Sequence, residues 1–356
     1  MRLLGTQRHT VVWLVLGTCV VVAILIGAAL AVRVSPGLAA ESRIVLSSSV
    51  TKCSTGAYPT FPGYDEANQE LYIPNSNSGT VTVLSGKCTY VGNVTLPSKA
   101  EPIQATFCPQ TDDMWVTDAN LNQIYIISGL SIVKTITAKA GQLHTPWGVA
   151  YDPEFLNAPP SPVNTGGMLV TNYGTDTVSE FQTGLLTKPG SYYGSATVGM
   201  DPIMVAFDPQ FDQVLVTNYL SGSVSVLNGG SLVLAYNETV GSNPYGIAID
   251  PNNDLVFVTN YGSSNVSVLF GGPGGTDTSF SGASSALGLA YDQTTQRMMF
   301  VNSGNGDIST VSPGLVLTLS RYKEPAAAGI NGVAWDGANG DMYVTAGLYN
   351  LVYIIS

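Results

Sequence analysis

The chain has 356 residues, of which 45% are hydrophobic and only 10% charged, with a formal net charge of −11. So few charges beside 39 Gly and much Ser, Thr, Asn, Val and Tyr exclude a disordered or helical-bundle chain and point to an all-β domain rich in turns. Setting aside Arg2, Arg8 and Arg33, ten Lys and Arg remain against 24 Asp and Glu; with no basic stripe to meet a phosphate backbone, nucleic acid is excluded as a partner.

Residues 1–10 carry Arg2 and Arg8, and Val11 to Val32 then runs without a charge. At about 1.5 Å rise per residue this stretch can cross a hydrocarbon core of about 30 Å as one transmembrane helix. Its length favours an uncleaved signal anchor over residues 11–32, because a cleaved signal has a shorter apolar region of about 7–15 residues. Leu38-Ala39-Ala40 offers small residues for cleavage near Ala40, so a secreted product is the alternative. The arginines place the N-terminus in the cytoplasm, making a single-pass cell-membrane protein with an extracellular C-terminal domain. Residues 33–42, with Pro36 and Gly37, read as a linker.

An orphan β-rich run, Arg43 to Val50, precedes a unit that recurs seven times. Its first half reads P-x-G-V-A-x-D, ending at Asp65, Cys108, Asp152, Asp208, Asp250, Asp292 and Asp336. Its second half is an alternating hairpin that turns at Asn75, Asp118, Asn172, Asn218, Asn260, Asn302 and Ala346. The offset between the two halves is ten residues in six units and twenty in the third, where an insertion falls within residues 153–167. Successive units lie 43, 44, 56, 42, 42 and 44 residues apart. A period of about 40–45 residues holding four strand-like runs predicts a seven-bladed β-propeller of four-stranded blades over residues 43–356. The last unit ends at Ser356 after three strands, so residues 43–50 are expected to supply its fourth and close the ring.

Cys19 lies in the apolar span, and Cys53, Cys88 and Cys108 lie beyond it. Cys53 and Cys88 flank the first unit and are the favoured disulfide, which an exported domain permits; Cys108 reads as a buried small hydrophobe ending an inner strand. Asn93, Asn237 and Asn265 begin glycosylation sequons.

The hairpins Val170-Thr171-Asn172-Tyr173-Gly174 and Val258-Thr259-Asn260-Tyr261-Gly262, each preceded by the P-x-G-V-A-x-D run, resemble the YVTN-type β-propeller repeat of archaeal and bacterial surface-layer and other secreted or surface-anchored proteins. The resemblance spans about residues 43–356. It implies the fold and an extracytoplasmic setting, and leaves activity open, because such propellers serve many roles.

Chemistry is sparsely marked. His144 is the one histidine past residue 40, so no histidine metal cage can form, and no G-x-S-x-G elbow marks a nucleophile. The once-per-blade aspartates read as turn formers, with a ring of carboxylates binding Ca²⁺ as the alternative. Asn172, Asn218, Asn260 and Asn302 read as turn residues tolerant of positive φ. Tyr173, Tyr219 and Tyr261 read as packing between blades or as an aromatic rim.

Blade three breaks the repeat most. Trp147, Phe155, Asn157, Tyr192 and Tyr193 are its candidate binding face. The expectation is a non-catalytic, membrane-anchored scaffold without a cofactor, binding a protein or glycan at the cell surface. The alternative is a secreted propeller enzyme, lactonase-like or quinoprotein dehydrogenase-like, with a metal in the central channel.

Overall fold

The computed structural model describes residues 50–137, 141–154, 166–184, 189–270, 278–312 and 329–356, with backbone alone for 12–16, 19–26, 29–31 and 317–318. Two units are distinguished, Met1–Ser42 and Arg43–Ser356. In the first, the described backbone forms a three-stranded sheet of Val12–Leu16, Cys19–Ile26 and Ala29–Ala31. The helix expected over residues 11–32 is not among the described elements, and among the described residues no helix is long and apolar enough to cross a membrane.

The second unit holds seven four-stranded antiparallel sheets, the blades of a propeller. Six take their strands from consecutive sequence. Blade 3, for example, runs Pro146–Asp152, Gly167–Asn172, Thr177–Gln182 and Ser191–Thr197 from inner to outer. The seventh is composite: Ile330–Asp336, Asp341–Ala346 and Leu351–Ile355 are completed by Val50–Ser54. An N-terminal strand therefore closes the ring. Val50 opens the closing strand, pairing with Ile355, and Ser54 ends it opposite Leu351; residues 43–49 lie outside the described residues. Cys53 turns inward and forms a disulfide with Cys88 of blade 1, while Lys52, exposed, lies 5.2 Å from the centre of the Tyr353 ring.

The P-x-G segment has a structural meaning. In blade 3, Pro146 pairs with Asn172 but Val149 pairs with Val170, so the inner strand carries one extra residue. Blades 4 to 7 share this shift. It is a β-bulge, which bends its strand and re-aims a side chain. The bulge interrupts the ladder, and the Thr of V-T-N repairs it. Gly148 N–H donates to Thr171 Oγ1 at 2.8 Å, Met204 N–H to Thr217 at 3.0 Å, Gly246 N–H to Thr259 at 2.9 Å and Gly332 N–H to Thr345 at 2.9 Å. Each hydroxyl then donates onward to the next blade. Thr117 reaches Trp147 O at 2.6 Å, Thr171 reaches Ile203 O at 2.6 Å, Thr217 reaches Tyr245 O at 2.7 Å, and Thr259 reaches Leu287 O at 2.6 Å. These threonines are fully buried, where an unmade hydrogen bond is costly.

Glycine follows from the same approach of blade to blade. A Cβ on Gly332 would lie 2.6 Å from Thr60 O and 2.7 Å from Phe61 Cα, backbone of the next blade. Blade 1 has Pro74 in place of the stitching threonine. Its seam with blade 2 is held by backbone, Phe61 N–H donating to Ile103 O at 3.1 Å and Ala105 N–H to Phe61 O at 3.0 Å, and by Thr60 Oγ1, which donates to Pro102 O at 3.3 Å. Cys108 is buried at the end of its inner strand, and burial pushes its thiol up.

Candidate functional site

The repeated polar residues are consumed by the fold. Asp65, Asp152, Asp208, Asp250, Asp292 and Asp336 each accept, through Oδ1, the backbone N–H two residues on. Each is tied to its own turn. Among the described residues no group of three or more His, Cys, Asp or Glu is placed to hold a metal ion.

Asn172, Asn218, Asn260 and Asn302 are not the positive-φ residues expected. They are buried at the ends of second strands, and their amides donate across the hairpin to a serine hydroxyl seven residues on, at 2.8 to 2.9 Å. The left-handed residue stands four places later in every blade: Gly79, Asn122, Asp176, Gly222, Ser264, Gly306 and Asn350. The asparagines lock the hairpin from within, and the conformational strain lies at its far end.

Of the residues expected as a binding face, Trp147 does not come together with Tyr192 and Tyr193. Trp147 is on the innermost strand of blade 3 and Tyr192 and Tyr193 on its outermost, about 14 Å away across three strand spacings. Tyr192 packs edge-on against Phe181 and hydrogen bonds Ser195 Oγ at 2.9 Å. Phe155 and Asn157 lie outside the described residues. Of the sequon asparagines, Asn93 and Asn237 are exposed on outer strands, and Asn265 is half-buried at the start of a third strand.

What the structure assembles instead is an aromatic cluster at the end of the axis where the inner strands begin. Tyr245 is the x residue of P-x-G in blade 5, and its ring stacks on Phe61 of blade 1 at 5.8 Å. Blades 1 and 5 do not adjoin, so this contact crosses the axis. Tyr219 meets Tyr245 edge-on at 6.3 Å, and Trp147, the x residue of blade 3, lies 5.7 Å from Tyr173. Ile103 and Ile203, the x residues of blades 2 and 4, join the same cluster. In blades 2 to 5 the bulged strand places its x residue in this cluster. Thus Tyr173 and Tyr219 do form part of an aromatic group, whereas Tyr261 points outward.

Polar groups border this cluster between blades 3 and 4. Tyr173 donates its hydroxyl to Asp201 Oδ2 at 3.1 Å, and Asp201 N–H donates to Asp176 Oδ1 at 2.9 Å. Burial, and then the Asp201 carboxylate, raise the Tyr173 phenol above its usual range, so it keeps its proton at neutral pH. The exposed His144 sits over the Asn172-Tyr173-Gly174 turn: its carbonyl accepts Gly174 N–H at 3.1 Å, and its ring occupies the space a Cβ on Gly174 would need. Trp147 Nε1 is buried without completing a hydrogen bond, near the Tyr245 hydroxyl, whose ionisation burial opposes. Phe61, Tyr245 and Asp201 were missed in the sequence; Tyr245 had a signal, position x, the place the repeat leaves free, whereas Phe61 follows that position in blade 1 and Asp201 precedes the proline of blade 4.

A second polar anomaly lies inside blade 3. Glu180 occupies a register position that is Ile126, Val226 and Val268 in blades 2, 4 and 5. It is fully buried, neither carboxyl oxygen completes a hydrogen bond, and burial together with Asp152 pushes it up to about 9.

No protein-family model matches the chain, and no curated protein matches it. Solved structures do. Virginiamycin B lyase from Staphylococcus aureus superposes with a TM-score of 0.71 at 13% identity, covering 87% of this chain and 99% of its own. A catalytically inactive histidine-to-alanine variant of that lyase, solved with quinupristin, gives 0.70 at 13% over 87% and 99%. Hydrazine synthase from Kuenenia stuttgartiensis gives 0.71 at 16% over 85% and 96%. At such identities the shared feature is the propeller. The expectation of a non-catalytic scaffold is nevertheless overturned in direction, because these structures with the same fold are a lyase and a synthase, not envelope scaffolds.

Proposed function

We propose that this propeller is an enzyme, a lyase acting by acid–base elimination at the aromatic end of its axis. The observation that carries the reading is the Tyr173–Asp201 hydrogen bond, set between His144 and the aromatic cluster. His144 removes a proton from a carbon beside an activating carbonyl. The electrons form the new double bond as the carbon–oxygen bond breaks, and the leaving oxygen takes a proton from Tyr173. Atoms balance without water or a co-substrate. Tyr173 suits the donor role because it is held neutral, and Asp201 orients it. The aromatic rings supply an apolar floor for the substrate body.

The setting we propose is extracytoplasmic, with the chain a YVTN-type propeller exported by residues 11–32. The Cys53–Cys88 disulfide supports this, since such bonds persist in oxidising compartments.

The test is incubation of the purified full-length protein with quinupristin, then with a panel of compounds bearing an oxygen leaving group β to a carbonyl, read by mass spectrometry. Elimination yields products with no mass gained from solvent; hydrolysis adds one water and would replace the lyase reading. His144→Ala and Tyr173→Phe should each lower kcat by about 10²-fold or more. Unchanged turnover in both variants would remove the site from the chemistry.

A further inference from the structure

The aromatic cluster has a second property, its charge setting. Trp147, Tyr173, Tyr219 and Tyr245 are each only partly buried. Beside them stand two carboxylates of the blade 3–4 seam, Asp176 and Asp201, both half-buried. The described Lys and Arg residues past the first unit are Lys52, Lys87, Lys99, Lys134 and Arg297. None belongs to blades 3 to 5, and none lies on an inner strand. A cluster of electron-rich ring faces with nearby carboxylates, and with no positive side chain of these blades among the described residues, has a definite preference. The ring quadrupole attracts a cation placed over its face, and a neighbouring carboxylate adds to the attraction. An anion meets both terms with the wrong sign, and the net charge of −11 repels it from a distance.

We infer that the axial site recognises a cationic ammonium group, a quaternary or protonated amine, seated against Tyr219, Tyr245 and Trp147 with Asp201 as its counter-charge. This rests on the site assigned under Proposed function and names its substrate class: an ester or ether carrying an amine. Tyr219 and Tyr245 meet edge to face, nearly at right angles to one another. A neutral group of the same shape gains the apolar contact but neither electrostatic contribution.

The test compares choline with its uncharged isostere 3,3-dimethylbutan-1-ol on the full-length protein, by titration of tryptophan fluorescence and by calorimetry. Saturable binding of choline, about tenfold or more tighter than the isostere, is expected. Tyr219→Leu and Asp201→Asn should each weaken choline binding severalfold while leaving isostere binding nearly unchanged. Circular dichroism verifies that each variant is folded, and Asp201→Asn, which removes no packing, remains informative should Tyr219→Leu unfold. Equal affinity for the two ligands, or no saturable choline binding, overturns the inference. Choline binding in a protein that turns over none of the panel leaves the inference standing and removes the lyase reading. Turnover of uncharged substrates without choline binding does the reverse.

Discussion

Thr345 Oγ1 donates to Thr60 O at 2.6 Å, joining residues 285 apart in sequence. The same hydroxyl accepts Gly332 N–H, so one side chain repairs the bulge of blade 7 and fastens it to blade 1. Replacing it with valine keeps the volume but strands a buried N–H and a buried carbonyl. Thr345→Val is expected to lower stability by about 1–3 kcal/mol, and Thr345→Ser to recover much of that. Thermal unfolding of the two variants decides. A valine variant as stable as the parent would show that the hydroxyl is incidental to closure.

The Cys53–Cys88 disulfide closes the same seam from outside, linking the closing strand to blade 1 across a separation of 35 residues. Chain-entropy arguments give a loop of that size about 3–4 kcal/mol of stabilisation. Paired Cys53→Ser and Cys88→Ser substitutions should lower the unfolding midpoint. They should also make Thr345→Val more damaging than the separate effects suggest, because both act on one joint. Strict additivity in a double-mutant cycle would mean that the two fastenings are independent.

Architecture was legible in the sequence because it rests on counting. The constant offset from Asp250 to Asn260 and its counterparts reports strand length and turn size directly, and the Thr of V-T-N was visible as part of the repeat. Its role was not, since the carbonyl it reaches belongs to the next blade. The asparagines were misread for a related reason. Asn172 has the composition of a turn residue, yet its burial follows from a hydroxyl seven residues on, at Ser179, and the left-handed position falls on Asp176. The axial residues were hidden by the repeat itself. A pattern written P-x-G draws attention to what recurs, and the bulge delivers to the axis the residue that does not.

Glu180 gives the protein a pH dependence with a definite sign. Its folded-state value, about 9, lies above the ordinary glutamate value of 4.5. The unfolded chain releases this proton as pH rises past 4.5, while the folded protein holds it. Stability is therefore full below about 4.5 and declines progressively as pH rises toward 9. Glu180→Gln removes the ionisation without changing the shape. The variant should match the parent near pH 4 and exceed it increasingly from pH 5 to 9, by a few kcal/mol at the upper end. Melting temperatures across that range test this; a difference that stays flat with pH would mean that Glu180 is ionised in the folded state.

Stability and ligand recognition should separate at the x positions. Tyr245 contributes its carbonyl to the stitch from Thr217, and that bond survives any side-chain change. Its ring contacts Phe61 across the axis and Tyr219 of the adjoining blade, and the residue keeps some exposure. Trp115, by contrast, is fully buried between blades 2 and 3, packed among Cys108, Ile124 and Met168. Trp115→Ala should cost about 3–5 kcal/mol through the cavity it leaves. Tyr245→Ala should cost less, because its site opens to solvent and can refill with water, yet it removes a ring from the axial site. The expected result is a variant that unfolds only a few degrees below the parent and has lost most of its affinity for choline. If Tyr245→Ala is as destabilising as Trp115→Ala, the aromatic cluster is a structural plug, and the case for a binding site at that end of the axis falls with it.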